Sequence, residues 1–558
     1  MSPHSGPRLV ARSAVPFALA VILAATVACA ADRSSPAAKG ADPEPRYGGT
    51  LVIAGPNDLE LMNSLVSTEL WTSEFLTYAL FMPLIRYGPD LDFEPYLAER
   101  WEMAGDTAVV FHLRRDVRWH DGVPTTAYDV LFTYERARDP RTGSTIGHYF
   151  EHWTRAEVLD SFTIRFSFSP HSDPLASWPF APIMPRHLLD TIPPERLRQA
   201  AFNKQPVGNG PFRFVSARAN DRWVFEANPD FPEALGGRPY LDRVVWRVIP
   251  DNAAQVVELT AGTADLILGP RADQLRELDA HPEIRAIVRP ARNYVFVGWN
   301  GADPRFADAR VRRALAMAIN RERLIENRAG YGELASGPIS PHHWAYDPSI
   351  APLPYDTAAA RALLAEAGYS DRDGDGRLED PRGNDFSFSL KTAAGNAFQR
   401  DMAELIRSDL AAIGVTVTAR PTEFNTLIGD LSANPRRFEA VLMGWNADFR
   451  INLHEMYHSS ALGGPYQIAA YSNPELDTLL DRAATTVDRE AARPLWRRVQ
   501  EILRDDQPWT YLYYYPNLYA IRERVQGVEM DLRGAFVNLP RWWLAESATP
   551  SAADSAQP

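Results

Sequence analysis

The sequence predicts a mixed α/β protein of several domains. Short apolar runs of strand type alternate irregularly with longer amphipathic helical stripes, no short repeat recurs, and 558 residues exceed one ordinary domain. Tyr47–Ala54 is a glycine turn followed by an apolar strand. Thr107–Leu113 reads as a strand. Thr126–Arg138 reads as a helix, opened by a Thr cap and closed before Asp139-Pro140. Arg213–Val215 and Trp223–Glu226 read as a hairpin around Ala-Asn-Asp, and Val244–Ile249 as a further strand. Ala309–Asn327 carries a helical stripe at Val311, Ala314, Leu315, Ala318 and Ile319. Phe398–Ile413 is a second amphipathic helix, with the strand Val415–Thr418 after it. Pro474–Ala484 and Ala491–Arg504 are two more helices, and Trp509–Tyr515 is an aromatic strand.

The ends read differently. Arg8 and Arg12 precede an uncharged apolar run, Ala14–Ala28, shorter than the roughly 20 residues that span a bilayer. A basic start, an apolar middle and small residues before a cut are the layout of a secretory signal. Cys29 follows Thr26-Val27-Ala28 as in a bacterial lipobox, so residues 1–28 are expected to be cleaved and Cys29 lipidated. Residues 29–46, rich in Ala, Pro, Ser and charge, read as a flexible tether, and 546–558 as a disordered tail.

Composition excludes several classes. A net charge of −13 argues against nucleic acid, whose phosphates need clustered Lys and Arg. Cys29 is the only cysteine, so core burial and not disulfides must hold an exported chain together. No GxxxxGK[ST] loop is present, which excludes a P-loop ATPase.

Several segments together resemble the family 5 solute-binding proteins of bacterial ABC transporters, the oligopeptide-, dipeptide- and nickel-binding group. They are Glu94–Glu102 (EPYLAERWE), Val110–Gly122 (VFHLRRDVRWHDG), Thr125–Val130 (TTAYDV) and Val207–Phe212 (VGNGPF). Asn228–Phe231, Tyr240–Arg243, Ala261–Asp265, Val311–Leu315 and Tyr471–Asp477 continue the series in order. The resemblance implies a periplasmic-binding-protein type II-like fold of two lobes with an extra inserted domain. Domain I would comprise 47–80, 208–290 and 515–545, domain II 81–207, and domain III 291–514. It also implies a monomeric, exported, membrane-anchored binding protein, not an enzyme. Such a protein faces the periplasm, or the outer face of the cytoplasmic membrane, and serves a two-subunit permease with its ATPases. A short peptide is the expected ligand; a nickel chelate, haem or a sugar would suit the same fold.

By the same resemblance, Gly444-Trp-Asn-Ala-Asp448 carries the ligand contacts. Asp448 would pair with a peptide's α-ammonium, Gly444 and Asn446 would offer backbone groups, and Trp445 could stack on ligand or belong to the core. Two other motifs remain open. His454-Glu455-Met-Tyr-His458 has the HExxH spacing of a zinc-peptidase helix, with Glu475 as a conceivable third ligand. Asp371, Asp373 and Asp375 open a calcium-type D-x-D-x-D-G loop, although its twelfth position is Arg382 and a plain surface turn fits as well. Trp119-His120-Asp121-Gly122 reads as a structural turn.

Overall fold

The computed structural model describes residues 44–545. The expected signal segment, Cys29, residues 30–43 and the tail 546–558 lie outside the described residues. Among those described, no helix is long and apolar enough to cross a membrane.

One eleven-stranded sheet runs through the molecule. Its order is Thr416–Thr422, Ser387–Ala393, Ala440–Asn446, Ile284–Trp299, Trp509–Arg522, Leu266–Leu268, Thr50–Gly55, Arg243–Val248, Arg222–Ala227, Phe212–Arg218, with Glu333–Leu334 attached to Trp509–Arg522. The two long central strands pair antiparallel in two blocks, Ile284–Arg289 with Asn517–Arg522 and Asn293–Gly298 with Trp509–Tyr515. Between the blocks the register shifts, and Pro290 and Pro516 lie in the gap. Proline has no N–H to give a ladder, so the sheet is interrupted there. The interruption divides it into a first lobe (50s, 212–289, 517–544) and a second lobe (293–515).

Alternation builds the second lobe's three layers. Val295, Val297 and Trp299 enter one core while Tyr294 and Phe296 enter the other, as a period of two requires. Leu512 and Tyr513 both face the first of these cores. The register shift at Val295/Phe296 supplies the reason, an extra residue bulged out of the ladder. Helices Ala309–Ala318 and Ala397–Ala411 cover that face, and Pro474–Thr485 and Arg489–Asp506 the other.

The segment between the first two first-lobe strands folds onto that lobe. It holds a four-stranded antiparallel sheet, Ala98–Met103, Ala108–Leu113, Thr163–Phe168 and Trp153–Asp160, covered by the helix Ala127–Arg138. Trp153, Trp178, Phe150 and Phe166 pack edge to face inside it and join the first lobe's core. The joint is a tight turn. A Cβ at Gly208 would lie 2.0 Å from the Leu80 carbonyl oxygen, so only glycine permits the approach. His120 clamps the same turn, its Nδ1 accepting from Gly208 N–H at 3.2 Å and its Nε2–H donating to Gly210 O at 3.0 Å.

Local signals place most helix starts. Asp129 accepts the Thr126 N–H at 2.8 Å and its hydroxyl at 3.1 Å, which fixes the start of Ala127–Arg138. Thr126→Ala is expected to cost about 1 kcal/mol locally. Amide exchange in the first turn of that helix would then speed up about fivefold, and unchanged exchange would refute the role. One expectation needs correction. The stripe Ala309–Asn327 forms two helices, Ala309–Ala318 and Arg321–Asn327. Asn320 breaks it by accepting Arg323 N–H at 3.0 Å, while Asp409 takes the Asn320 N–H at 2.9 Å.

Candidate functional site

The chain passes between the lobes only along its two interrupted strands, and a cleft opens beside that crossing. Two cavities of about 400 Å³ each fill it. One lies mainly in the second lobe, with His148 and Glu151 of the inserted segment at its wall. The other lies between residues 64–78 and Arg533 of the first lobe and residues 145–182 of the insertion. Arg292 and Asp448 line both, so they form the partition.

The strand Ala440–Asn446 leads to this partition. Asn300 N–H donates to Glu439 O and Ala447 N–H to Arg292 O, so the odd-numbered residues bond the neighbour Ile284–Trp299. Gly444 and Asn446 therefore turn their main-chain groups to the opposite edge. There the next strand, Ser387–Ala393, pairs only with Ala440 and Val441. Gly444 and Asn446 thus have no strand partner on that side, a short free edge able to pair with an extended chain. Trp445 lines the second-lobe cavity and meets Tyr466 and Trp509 edge-on, both at 5.9 Å, so it is half wall and half core.

Asp448 follows the free edge. One oxygen accepts its neighbour's N–H, Phe449, at 2.6 Å. The carboxylate also acts on Tyr149, whose hydroxyl is pushed well up by burial first and by Asp448 second. Arg292 is pushed down to about 10 by burial, with Asp448 working in the opposite sense. Its guanidinium lies 3.4 Å over the Phe449 ring.

Phe449 spans the cleft. Its ring packs against both Tyr87 and Phe180, at 5.1 and 4.8 Å and 23° to each. Each such pair contributes about 0.5–1.5 kcal/mol beyond burial. His343 steadies the loop by donating from Nε2 to Phe449 O at 2.8 Å. A second bridge joins Arg489 Nη2 to both oxygens of Asp173 at 2.9 Å, and Ser172 N–H donates to Ala484 O at 2.7 Å. The lobes therefore meet across the insertion. Sequence reasoning did not mark Arg292, Phe449, Asp173 or Arg489, because their partners come from segments far apart in the chain.

The two other motifs each bring acidic or imidazole groups together. His454–Tyr457 is a helix of four residues, and His458 is already extended. Its two imidazoles stack at 4.0 Å with Nε2 atoms 3.4 and 3.5 Å from Asp481. Nδ1 of His458 accepts Ser460 N–H at 3.0 Å, so the neutral ring carries its proton on Nε2, where a metal would have to bind. Glu475, the expected third ligand, is instead held by Arg498 at 2.7 Å, and Asp481 takes that place. In the aspartate loop, Asp371, Asp373 and Asp375 each offer an oxygen within 4.8 Å of the others, and Glu379 completes the group. Each of these carboxylates also closes its own turn, as Asp371 does with Gly374 N–H at 2.8 Å and Glu379 with Arg372 N–H at 2.7 Å.

Two lobes joined by a pair of interrupted strands, with a cleft at the crossing and a third unit inserted in one lobe, define a type II periplasmic-binding-protein-like fold. Residues 92–464 match the family model of the bacterial extracellular solute-binding proteins, family 5 Middle. The chain belongs to this family. It is 32% identical over 539 residues to the oligopeptide-binding protein AppA of Bacillus subtilis, covering 95% of this chain and 97% of that protein. The solved structure of AppA from B. subtilis, in complex with a nonapeptide, superposes with a TM-score of 0.75 at 30% identity, covering 90% of this chain and all of that one. The haem-binding protein A of Haemophilus influenzae is 30% identical over 467 residues, 78% of this chain and 81% of that protein.

Proposed function

We propose that this protein captures a short peptide between its lobes and delivers it to an ABC importer. The observation that carries this reading is the free main-chain edge at Gly444 and Asn446, which ends at the Asp448 carboxylate inside the cleft. An extended peptide pairs its backbone with that edge and places its α-ammonium on Asp448, so its side chains vary freely. Similarity to an oligopeptide-binding protein supports the same cargo. Bound peptide touches both lobes and so favours the closed form, with Pro290 and Pro516 at the hinge. The permease reads closure, and the cargo leaves unaltered. Cys29, once lipidated, anchors a monomeric receptor to a membrane, facing the periplasm or the outer face of the cytoplasmic membrane. A thermal-shift screen tests the cargo. Peptides of two to nine residues are expected to raise the melting temperature, whereas haem, nickel–histidine and sugars are not. Stabilisation by one of the latter alone would overturn the peptide reading.

A further inference from the structure

The second-lobe cavity is lined by two cations that keep buried nitrogens without a hydrogen-bond partner. Arg292 has both Nε and Nη1 buried and unbonded, the only arginine among the described residues with two such atoms. Arg450 is 8% exposed, its Nη1 is buried and unbonded, and its Nη2 reaches only His148 O at 3.4 Å. No carboxylate among the described residues comes within ion-pair distance of either. Several other buried guanidinium groups among the described residues are fully engaged. Arg489 holds Asp173, Arg524 holds Asp265 at 2.7 Å, and Arg312 donates to four main-chain carbonyls. An unpaired charge away from water is costly, so two in one cavity point to an anion that is supplied from outside.

The acids at the same wall do not fill the role. Glu151 and Glu455 are exposed, and Asp448 is turned to Phe449 N–H. The stack on Phe449 holds the Arg292 plane and leaves its edge free, and that edge is the part that forks onto a carboxylate. Arg292 shares the partition with Asp448, so the two ligand charges must lie close together.

We propose that Arg292 and Arg450 form a receptor for a ligand carboxylate lying next to the ammonium held by Asp448. The cargo is thereby restricted to peptides acidic near their amino end, or so short that the terminal carboxylate reaches the same place. The inference rests on the peptide reading given above.

Calorimetry on the intact chain separates the sources of the carboxylate. Ala-Asp-Ala-Ala and Ala-Asn-Ala-Ala, both amidated, test the side chain; Ala-Ala as free acid and as amide tests the terminus. At least one acid is expected to bind tenfold or more tightly than its neutral counterpart. In Arg292→Gln and Arg450→Gln that ratio falls towards one, and Arg450→Lys restores part of it. Equal binding of acid and neutral forms in both pairs overturns the inference and leaves the peptide reading standing. Binding of none of the four overturns both.

Discussion

Asp448→Ala is expected to weaken binding of free-amine peptides about 10- to 100-fold. The carboxylate stands at the end of the free edge and lines both cavities. A hydrogen bond to a charged group contributes about 1.5–3 kcal/mol, which sets that range. The substitution also removes the acceptor of Phe449 N–H, so a loop change could imitate the loss of an ammonium contact. Two controls separate these. Asp448→Asn keeps a side-chain oxygen for Phe449 N–H but loses the charge, and should still lose most of the affinity. N-acetylated peptides, having no ammonium, should bind weakly to the parent and change little in either variant. If blocked and free peptides bind the parent equally, Asp448 has no part in holding an amine.

Acid should destabilise the fold through three histidines. Burial pushes His120 and His343 down to about 4 and His171 to about 3, with His152 and Arg450 adding to the effect on His171. The unfolded chain binds protons near pH 6.5, whereas the folded rings refuse them until far lower pH. Their contribution is therefore complete above about pH 6.5 and is lost as pH falls from there towards about 4. At pH 5 each ring costs about 2 kcal/mol. Glu74, Asp129, Asp173 and Asp409 work the other way, since burial raises each of them. The histidine share is thus read by difference. In His171→Phe, the loss of stability between pH 7.5 and pH 5 in urea titrations should shrink by about 2 kcal/mol. The same loss in parent and variant would remove His171 from the account. Because His343 holds the Phe449 loop and His171 lies beside the Ser172–Ala484 bridge, closure of the cleft should show the same pH dependence.

Much of the fold was legible from local chemistry. The helix after Thr126 and the one after Asn473 begin where a side chain caps the first turn, and both caps lie within three residues of what they bind. Strand lengths were legible only in part. Trp509–Tyr515 was expected, but the strand continues to Arg522: Pro516 reads as a stop and instead lies in the gap between two paired blocks of one strand. Its partner Ile284–Trp299 gives no clean alternation, since Arg285, Arg289, Pro290 and Arg292 interrupt the apolar residues. Pairing between two such strands depends on residues more than two hundred positions apart.

The sequence by itself determined the fold class and the family, because those are written in contiguous residues whose spacing carries the signal. Tertiary structure alone decided which groups face the cleft together. Arg292, Asp448, Phe449 and Arg450 share a wall with Tyr149 and His148, and Asp173 meets Arg489, only once two lobes and an insertion have closed on one another. Whether a buried charge is paired depends on distances in space, and those are set by packing, not by neighbours along the chain.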